Sequence, residues 1–334
     1  MSIKLITGDC RDVLATLPAE SVHCVVTSPP YFGLRDYGVA GQIGLETTPD
    51  AFVAEMVSVF QEVRRVLRDD GTLWLNLGDS YSGSGKGAWN VPDERTVNVK
   101  ETYRPNVNPS KIGNTAREAA KTKYAGEDRN YGLKSKDLIG IPWRVAFALQ
   151  ADGWYLRQDI IWSKPTPMPE SVRDRCTKAH EYLFLLSKSE RYHYDAEAIA
   201  EPSIYAPGKS TEVERVKGYY DGKWSAPSDG SRNDGSFKAI RETRNKRSVW
   251  EIATNAYSEA HFATFPSALI EPCILAGCPR GGTVLDPFGG AGTTGLVADR
   301  LGRNAILIEL NPDYVAMAER RIRNDAGMFA EITA

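Results

Sequence analysis

Short apolar runs alternate with segments of helical spacing along the first 80 residues. Runs at 3–7, 24–26 and 72–77 have the length of buried strands and end in polar or glycine residues. Segments 10–17 and 48–71 repeat apolar residues every three or four positions, as amphipathic helices do, and Gly71 is expected to stop the second helix. This β-α-β-α-β order predicts a parallel sheet joined by right-handed crossovers.

The same alternation returns later in the chain. Segment 137–150 has helical spacing and is followed by strand-like runs at 154–162 and 180–186. Further runs at 283–285 and 304–308 flank a helix expected at about 294–301. The predicted fold class is therefore α/β, an open, mostly parallel twisted sheet with helices on both faces.

Two irregular stretches interrupt this pattern. Residues 80–136 hold eleven Lys/Arg against six Asp/Glu, and residues 202–248 hold ten against six. Because the whole chain has a net charge of −2, positive charge is concentrated in these stretches and the rest of the chain is acidic. Segregated positive charge favours a nucleic-acid partner, and a merely solvated insertion is the alternative.

Composition narrows the class of protein further. Hydrophobic content of 42% and charged content of 25% are ordinary for a soluble globular protein. The five cysteines form no CxxC pair, and His180 and His193 have no third ligand at a metal-binding spacing, so no metal site is expected. No apolar segment resembles a signal peptide or a membrane span, and we expect a cytoplasmic protein without a membrane partner.

The stretch Thr27-Ser-Pro-Pro-Tyr31 follows the second apolar run directly. Its two prolines fix the backbone and remove two N–H donors, so the carbonyls of Ser28 and Pro29 are held as acceptors beside an aromatic ring. Such a corner suits the amino group of a flat ring. Taken alone, the pentapeptide favours a tight turn around a core tyrosine.

A glycine-rich motif far along the chain changes that interpretation. Asp286-Pro-Phe-Gly-Gly-Ala-Gly-Thr-Thr-Gly295 stands between a strand and a helix, and the next strand ends at Glu309. In a β-α-β nucleotide unit the glycines let the backbone approach a ligand, and the acid can hydrogen-bond ribose hydroxyls. A P-loop lysine is missing from this motif, which counts against a nucleoside triphosphate. Asp9, at the first strand-to-helix turn, could contact the ligand or, equally, cap the helix.

Together these motifs resemble those of the β-group of S-adenosylmethionine-dependent DNA amino-methyltransferases. Segment 286–294 is similar to the family's motif I, and Ser28-Pro-Pro-Tyr31 is similar to its motif IV. Motif IV precedes motif I here, which is a circular permutation of the commoner order. Segment 261–266 resembles motif X, and 160–165 and 180–184 resemble the middle motifs. The resemblance spans nearly the whole chain outside the irregular stretches and implies a Rossmann-like methyltransferase fold.

The motifs and the resemblance together assign a site. The expected catalytic residues are Ser28, Pro29, Pro30 and Tyr31. The residues expected to bind S-adenosylmethionine are Asp9, Cys10, Phe265, Pro266, Asp286, Pro287, Phe288, Gly289, Gly290, Gly292, Thr293, Thr294, Glu309, Leu310 and Asn311. Ligands of open α/β sheets bind outside the carboxyl ends of strands where the strand order reverses. If the strand before Asp286 lies beside the strand before Ser28, the glycine-rich loop and the Ser-Pro-Pro-Tyr corner face each other there.

The resemblance also implies a division of the chain. The catalytic and cofactor-binding domain is expected at 1–200 plus 257–334, with the basic insertion at 80–136. Residues 201–256 are expected to recognise the DNA target.

The implied reaction is methyl transfer from S-adenosylmethionine to an exocyclic amine of a base flipped out of double-stranded DNA and stacked on Tyr31. Serine at the first position of motif IV resembles the N4-cytosine branch, so N4 of cytosine is predicted and N6 of adenine is the alternative. More distant alternatives are an RNA or protein-glutamine methyltransferase, a non-catalytic DNA-binding protein and a nucleotide-dependent dehydrogenase. A homodimer and a companion restriction endonuclease acting on the same site are left open.

Overall fold

A computed structural model of the chain describes residues 1–34, 37–83, 132–203, 242–254, 265–326 and 331–333. Most of the two basic stretches lies outside these residues, as do residues 255–264, which include most of the motif X segment. By internal contacts the chain divides into two compact units, one made of Met1–Tyr194 with Ser248–Ala334 and the other of Asp195–Arg247.

A nine-stranded sheet within the described residues forms the centre of the larger unit. Its strands are β1 (Ser2–Thr7), β2 (Val22–Thr27), β3 (Leu67–Leu77), β4 (Tyr155–Ser163), β5 (His180–Ser187), β8 (Val249–Glu251), β9 (Thr283–Asp286), β10 (Asn304–Glu309) and β11 (Glu331–Thr333). They lie in the order β11-β1-β10-β9-β2-β3-β5-β4-β8. Neighbouring strands are parallel except at β3–β5 and β5–β4. The smaller unit contains the antiparallel pair β6 (Glu201–Pro202) and β7 (Thr243–Arg244).

Helices cover both faces of the sheet, as the sequence predicts. They are α1 (Cys10–Thr16), α2 (Pro49–Val66), α3 (Ile141–Ala151), α4 (Ser267–Gly277), α5 (Thr293–Arg300) and α6 (Pro312–Ala326). On one face α1, α2 and α3 pack together over side chains such as Val25, Leu73 and Leu75. On the other face α4 packs against β2 and β3, with Gly277 close to Cys24 and Trp74. No helix in the described part of the chain is long and apolar enough to span a membrane.

The start of helix α2 follows from its local sequence, whereas its end does not. Thr48 caps its first turn by accepting a hydrogen bond from Ala51 N at 3.1 Å, and Pro49 begins the helix. The prediction that Gly71 stops this helix is wrong, because the helix ends at Val66 and Leu67 is already extended. Leu67 pairs with Val22, and a register shift follows before Thr72 pairs with Cys24. The strand partner, rather than the glycine, therefore ends the helix.

Candidate active site

Two motifs that stand 259 positions apart meet at the centre of the sheet. Strands β2 and β9 are parallel neighbours, with Val25 opposite Leu285. At their carboxyl ends the hydroxyl of Thr27 donates to Asp286 Oδ1 at 2.7 Å. The strand before Asp286 therefore lies beside the strand before Ser28, which is the condition for the two motifs to face each other.

Asp286 is enclosed by hydrogen-bond donors. Besides Thr27, the hydroxyl of Thr294 donates to Oδ2 at 2.6 Å, and the backbone N–H of Phe288 donates to Oδ1 at 3.1 Å. The residue is 1% exposed. Burial raises the pKa of the Asp286 carboxyl to about 6, although the three donors oppose that shift. Asp286 therefore joins β2, the glycine-rich turn and α5 through one buried carboxyl.

The glycine-rich turn runs from β9 into α5 and keeps the backbone free of side chains. Gly292 has a φ of +76°, and a Cβ there would lie 2.7 Å from Cβ of Ala318 on α6. A Cβ at Gly290 would meet only the carbonyl oxygen of Phe288 at 3.9 Å, so that position faces open space. Glycine thus serves close helix packing at one position and leaves room for a ligand at the other.

Glu309 lies against this turn at the end of β10. Its Oε2 accepts a hydrogen bond from Gly290 N at 2.8 Å, and Oε1 accepts one from Asn311 N at 2.9 Å. Burial raises the pKa of the Glu309 carboxyl, and the backbone N–H donors oppose the shift. Each carboxylate oxygen has a second lone pair, so the group keeps acceptor capacity beside the open space at Gly290.

Asp9 and Cys10 lie next to Glu309, because β1 and β10 are parallel neighbours. Gly8 N donates to the carbonyl of Glu309 at 2.9 Å. Asp9 caps α1 by accepting from Arg11 N, and its carboxylate also accepts from Arg11 Nε at 2.9 Å. The hydrogen bond to Arg11 lowers the pKa of Asp9, whereas burial raises the pKa of the Cys10 thiol to about 12. Of the two roles considered for Asp9, helix capping is observed.

The corner at Ser28 follows the carboxyl end of β2. The Tyr31 ring packs against Gly78, where a Cβ would lie only 2.4 Å from ring carbon Cε2. The hydroxyl of Tyr31 donates to Glu181 Oε2 at 2.6 Å. Burial raises the pKa of Tyr31, and the negative charge of Glu181 adds to the shift. Phe32 points the other way, into the core beside Phe52, with the ring centroids 5.6 Å apart.

Three polar residues that the sequence analysis assigned no role complete this corner. Asn76 is 3% exposed near the end of β3, and its Oδ1 lies 3.2 Å from Ser28 Oγ. Glu181 is the second residue of β5 and forms an ion pair with Lys164, which directly follows β4. A polar side chain inside the apolar run 72–77 is the signal that could have identified Asn76. Lys164 and Glu181 stood inside recognised motifs, but nothing in the spacing linked them to Tyr31.

The remaining expected cofactor residues occupy four places. Pro287 and Gly289 lie in the glycine-rich turn, Thr293 begins α5, and Leu310 follows β10. Phe265 is half-buried, and Pro266 caps α4, which packs on α5. Among the described residues no group of three His, Cys, Asp or Glu could hold a metal ion.

Comparison with known proteins places the chain in a family. Residues 22–320 match N6_N4_Mtase, a family described as DNA methylase. The Type II methyltransferase M.SmaI of Serratia marcescens is 45% identical over 321 residues, which cover 96% of this chain and 91% of that protein. M.XycI of Xanthomonas campestris pv. cyanopsidis is 44% identical, covering 99% of this chain and 91% of its own length.

Solved structures show the same fold. The PvuII DNA methyltransferase, cytosine-N4-specific, aligns with a TM-score of 0.60 at 20% identity, covering 99% of this chain and 89% of that one. A putative DNA modification methylase of Thermus thermophilus, crystallised with S-adenosyl-L-methionine, aligns with a TM-score of 0.57 at 24% identity and covers 99% of this chain and 100% of that one. With the family match and the 45% identical relative, the paired motifs at the carboxyl ends of β2 and β9 lead to one assignment: the chain belongs to the N6/N4 DNA methylase family.

Proposed function

We propose that this protein transfers a methyl group from S-adenosylmethionine to the exocyclic N4 amine of a cytosine flipped out of double-stranded DNA. The observation that carries the choice of cytosine is Ser28, a neutral hydroxyl at the first position of the catalytic corner, held by Asn76. The fold shared with a cytosine-N4-specific enzyme is consistent with this choice. N6 of adenine is the alternative within the family.

The cofactor fits the residues at the carboxyl ends of β9 and β10. The open space at Gly290 admits a ligand against the backbone, and the neighbouring Glu309 carboxylate suits ribose hydroxyls. We assign the glycine-rich turn, Glu309 and the adjoining Asp9 segment to cofactor binding. S-adenosylmethionine supplies a methyl group on a sulfonium, which is already activated for nucleophilic attack.

The protein's own contribution is to orient the amine and make it more nucleophilic. The lone pair of an exocyclic amine is delocalised into the ring. Hydrogen-bond acceptors at Ser28 Oγ and at the carbonyls of Ser28 and Pro29 would draw the amine hydrogens and localise the lone pair on nitrogen. This is electrostatic help directed at the transition state, together with alignment of the reacting atoms. A base must leave the duplex to reach this corner, and the Tyr31 ring offers a surface for stacking.

The first experiment combines purified protein, unmethylated genomic DNA and S-adenosylmethionine, followed by mass spectrometry of the nucleosides. N4-methylcytosine is the expected product. N6-methyladenine would overturn the choice of base and keep the reaction class. An absence of both, in a preparation that binds S-adenosylmethionine, would overturn DNA amine methylation and direct attention to RNA or protein substrates.

The stacking role of Tyr31 has its own test. Tyr31→Ala is expected to lower the single-turnover methylation rate far more than the affinity for S-adenosylmethionine. Tyr155→Ala, on an exposed tyrosine of β4, is the matched control. A parallel collapse of cofactor affinity in Tyr31→Ala would show that the ring supports the fold or the cofactor instead.

Target recognition is assigned to residues 201–256, and the remainder of the chain to catalysis and cofactor binding. Residues 204–241 of that region lie outside the described residues. In its described part Glu201 is surrounded by three cations, at 3.2 Å from Arg247, 3.5 Å from Arg244 and 3.9 Å from Lys246. An excess of positive charge suits contact with DNA phosphates. Exchange of 201–256 for the matching region of M.SmaI would test whether this segment determines the methylated sequence.

We also propose a companion restriction endonuclease acting on the same site, and the similarity to Type II methyltransferases supports this proposal. DNA methylated by this protein is expected to resist an endonuclease in a lysate of the source organism that cuts unmethylated DNA. Equal cutting of both substrates would contradict the pairing. A homodimer is also proposed, and analytical ultracentrifugation with and without DNA tests it; sedimentation as a monomer under both conditions would contradict it.

A further inference from the structure

We propose that Asn76, Glu181 and Lys164 are positioning residues that direct the hydroxyl proton of Ser28 away from the substrate. Ser28 Oγ then presents only lone pairs to the substrate amine. The inference rests on the proposed function, since it gives Ser28 its role as acceptor. Each of the three residues acts through Ser28 or Tyr31.

The topology brings the three residues to one place. Strand β5 runs antiparallel between β3 and β4, so its first residues lie beside the last residues of both neighbours. Trp162 on β4 is opposite Glu181 on β5, and Lys164 follows two positions later. Asn76 on β3 is opposite Leu183. The carboxyl ends of β3 and β4 thus place an amide and an ammonium on either side of one carboxylate.

The orientation of the Asn76 amide is fixed by acceptors on one side. Its Nδ2 lies 3.0 Å from the carbonyl of Tyr182 and 3.3 Å from Glu181 Oε2. Neither of these oxygens can donate a proton, so the nitrogen must face them. Asn76 Oδ1 therefore faces the two hydroxyls of the corner, at 3.2 Å from Ser28 Oγ and 3.1 Å from the Tyr31 oxygen.

The hydroxyl protons of Ser28 and Tyr31 share two acceptors, Asn76 Oδ1 and Glu181 Oε2, and one arrangement is favoured. Tyr31 has a single proton, and the carboxylate oxygen of Glu181 at 2.6 Å is a closer and stronger acceptor than the amide oxygen. With the Tyr31 proton on Glu181, Asn76 Oδ1 accepts the Ser28 proton. A serine hydroxyl whose proton is committed in this way can only accept from a further partner.

Lys164 keeps the Glu181 carboxylate in its role as the stronger acceptor. The two side chains form an ion pair and are only 19% and 15% exposed. The Lys164 ammonium also lies 4.4 Å from the centre of the Trp162 ring, which limits its freedom. Without this cation, a mostly buried carboxylate would lose the partner of its ion pair.

The experiment is a double-mutant cycle between Glu181 and Ser28, read as single-turnover methylation of unmethylated DNA at saturating S-adenosylmethionine. In Glu181→Gln the neutral amide is a weaker acceptor than the carboxylate. The Tyr31 hydroxyl then competes with the Ser28 hydroxyl for Asn76 Oδ1, and the Ser28 proton is no longer held there. We expect the rate to fall about tenfold or more, with cofactor affinity changed less than about twofold. In a Ser28→Ala background the same change is expected to alter the rate less than about twofold, because there is no hydroxyl left to position.

A merely structural ion pair would behave differently, since Glu181→Gln would then slow both backgrounds by the same factor. That result overturns the proposal.

Lys164→Gln is the second variant, expected to slow the wild-type background less than Glu181→Gln does and again to lose its effect in Ser28→Ala. Glu190→Gln, on the exposed turn after β5, is the control. A wild-type protein that methylates no DNA amine would overturn the proposed function and this inference together, whereas an active wild type with uncoupled variants would overturn this inference alone.

Discussion

The carboxyl of Asp286 gives the sharpest prediction, because two opposing effects act on it. Complete burial disfavours the ionised form, whereas three hydrogen bonds from Thr27, Thr294 and Phe288 N favour it. Burial is the larger effect and raises the pKa from its ordinary value of 3.8 to about 6. The perturbation is Asp286→Asn, which keeps the shape and removes the titration.

The sign follows from proton binding. Between about pH 4 and pH 6 the folded chain retains a proton on Asp286 that the unfolded chain has lost. The free energy of unfolding contributed by this group therefore falls as pH rises through that window and levels off above it. With these two pKa values, the wild-type chain should be about 1 kcal/mol more stable relative to Asp286→Asn at pH 5 than at pH 8.

Urea unfolding of both proteins at pH 5 and pH 8, followed by tryptophan fluorescence, measures this difference. Asp12→Asn, on an exposed carboxylate of α1, is the control for the loss of a carboxylate at the surface. A difference between wild type and Asp286→Asn that stays constant with pH, or grows as pH rises, would refute the reasoning. It would mean that the three donors outweigh burial and keep the carboxyl ionised.

Three further changes test features of the fold and the corner. Gly292→Ala should lower the unfolding free energy by about 2–4 kcal/mol, because it combines a positive φ with a contact of 2.7 Å to Ala318; a loss in urea unfolding below about 0.5 kcal/mol would contradict that packing. Gly78→Ala should displace the Tyr31 ring and slow single-turnover methylation at least about tenfold, and an equal loss of S-adenosylmethionine affinity would show a wider disturbance. Thr48→Ala should cost about 1 kcal/mol by removing the cap of α2, whereas Thr48→Ser should cost much less in the same assay.

Most elements near the two motifs were predictable, because each has its own local pattern. Strands β1, β2, β9 and β10 are short apolar runs that end in turn residues, and the helices between them are bounded by caps or glycine. Helix α4 was not anticipated. It is apolar on nearly all sides, so it has no amphipathic period. It also contains Pro272, and proline is unusual inside a helix.

The candidate site was predictable only where one continuous motif carries it. Ser28, Tyr31 and the glycine-rich turn are recognised from neighbouring residues. The topology of open sheets indicates that a ligand binds at the carboxyl ends of the strands, but the pairing of β2 with β9 is known only from the structure. The contact of Tyr31 with Glu181, 150 positions later, depends on the pairing of β3 with both β2 and β5, which no local pattern encodes. The contact of Asn76 with this corner could not be predicted either, because it depends on the alignment of β3 with β5.

The pairing of β2 with β9 also governs when a newly made chain can become active. At a synthesis rate of about 5–20 residues per second, the 259 positions between Thr27 and Asp286 take roughly 13–50 s to translate. During that interval one edge of β2 lacks the partner that later covers it, and an uncovered strand edge is prone to pair with other chains. The candidate site is therefore among the last features to form during synthesis, and a chain truncated before β9 would lack the glycine-rich turn while retaining the complete Ser-Pro-Pro-Tyr sequence.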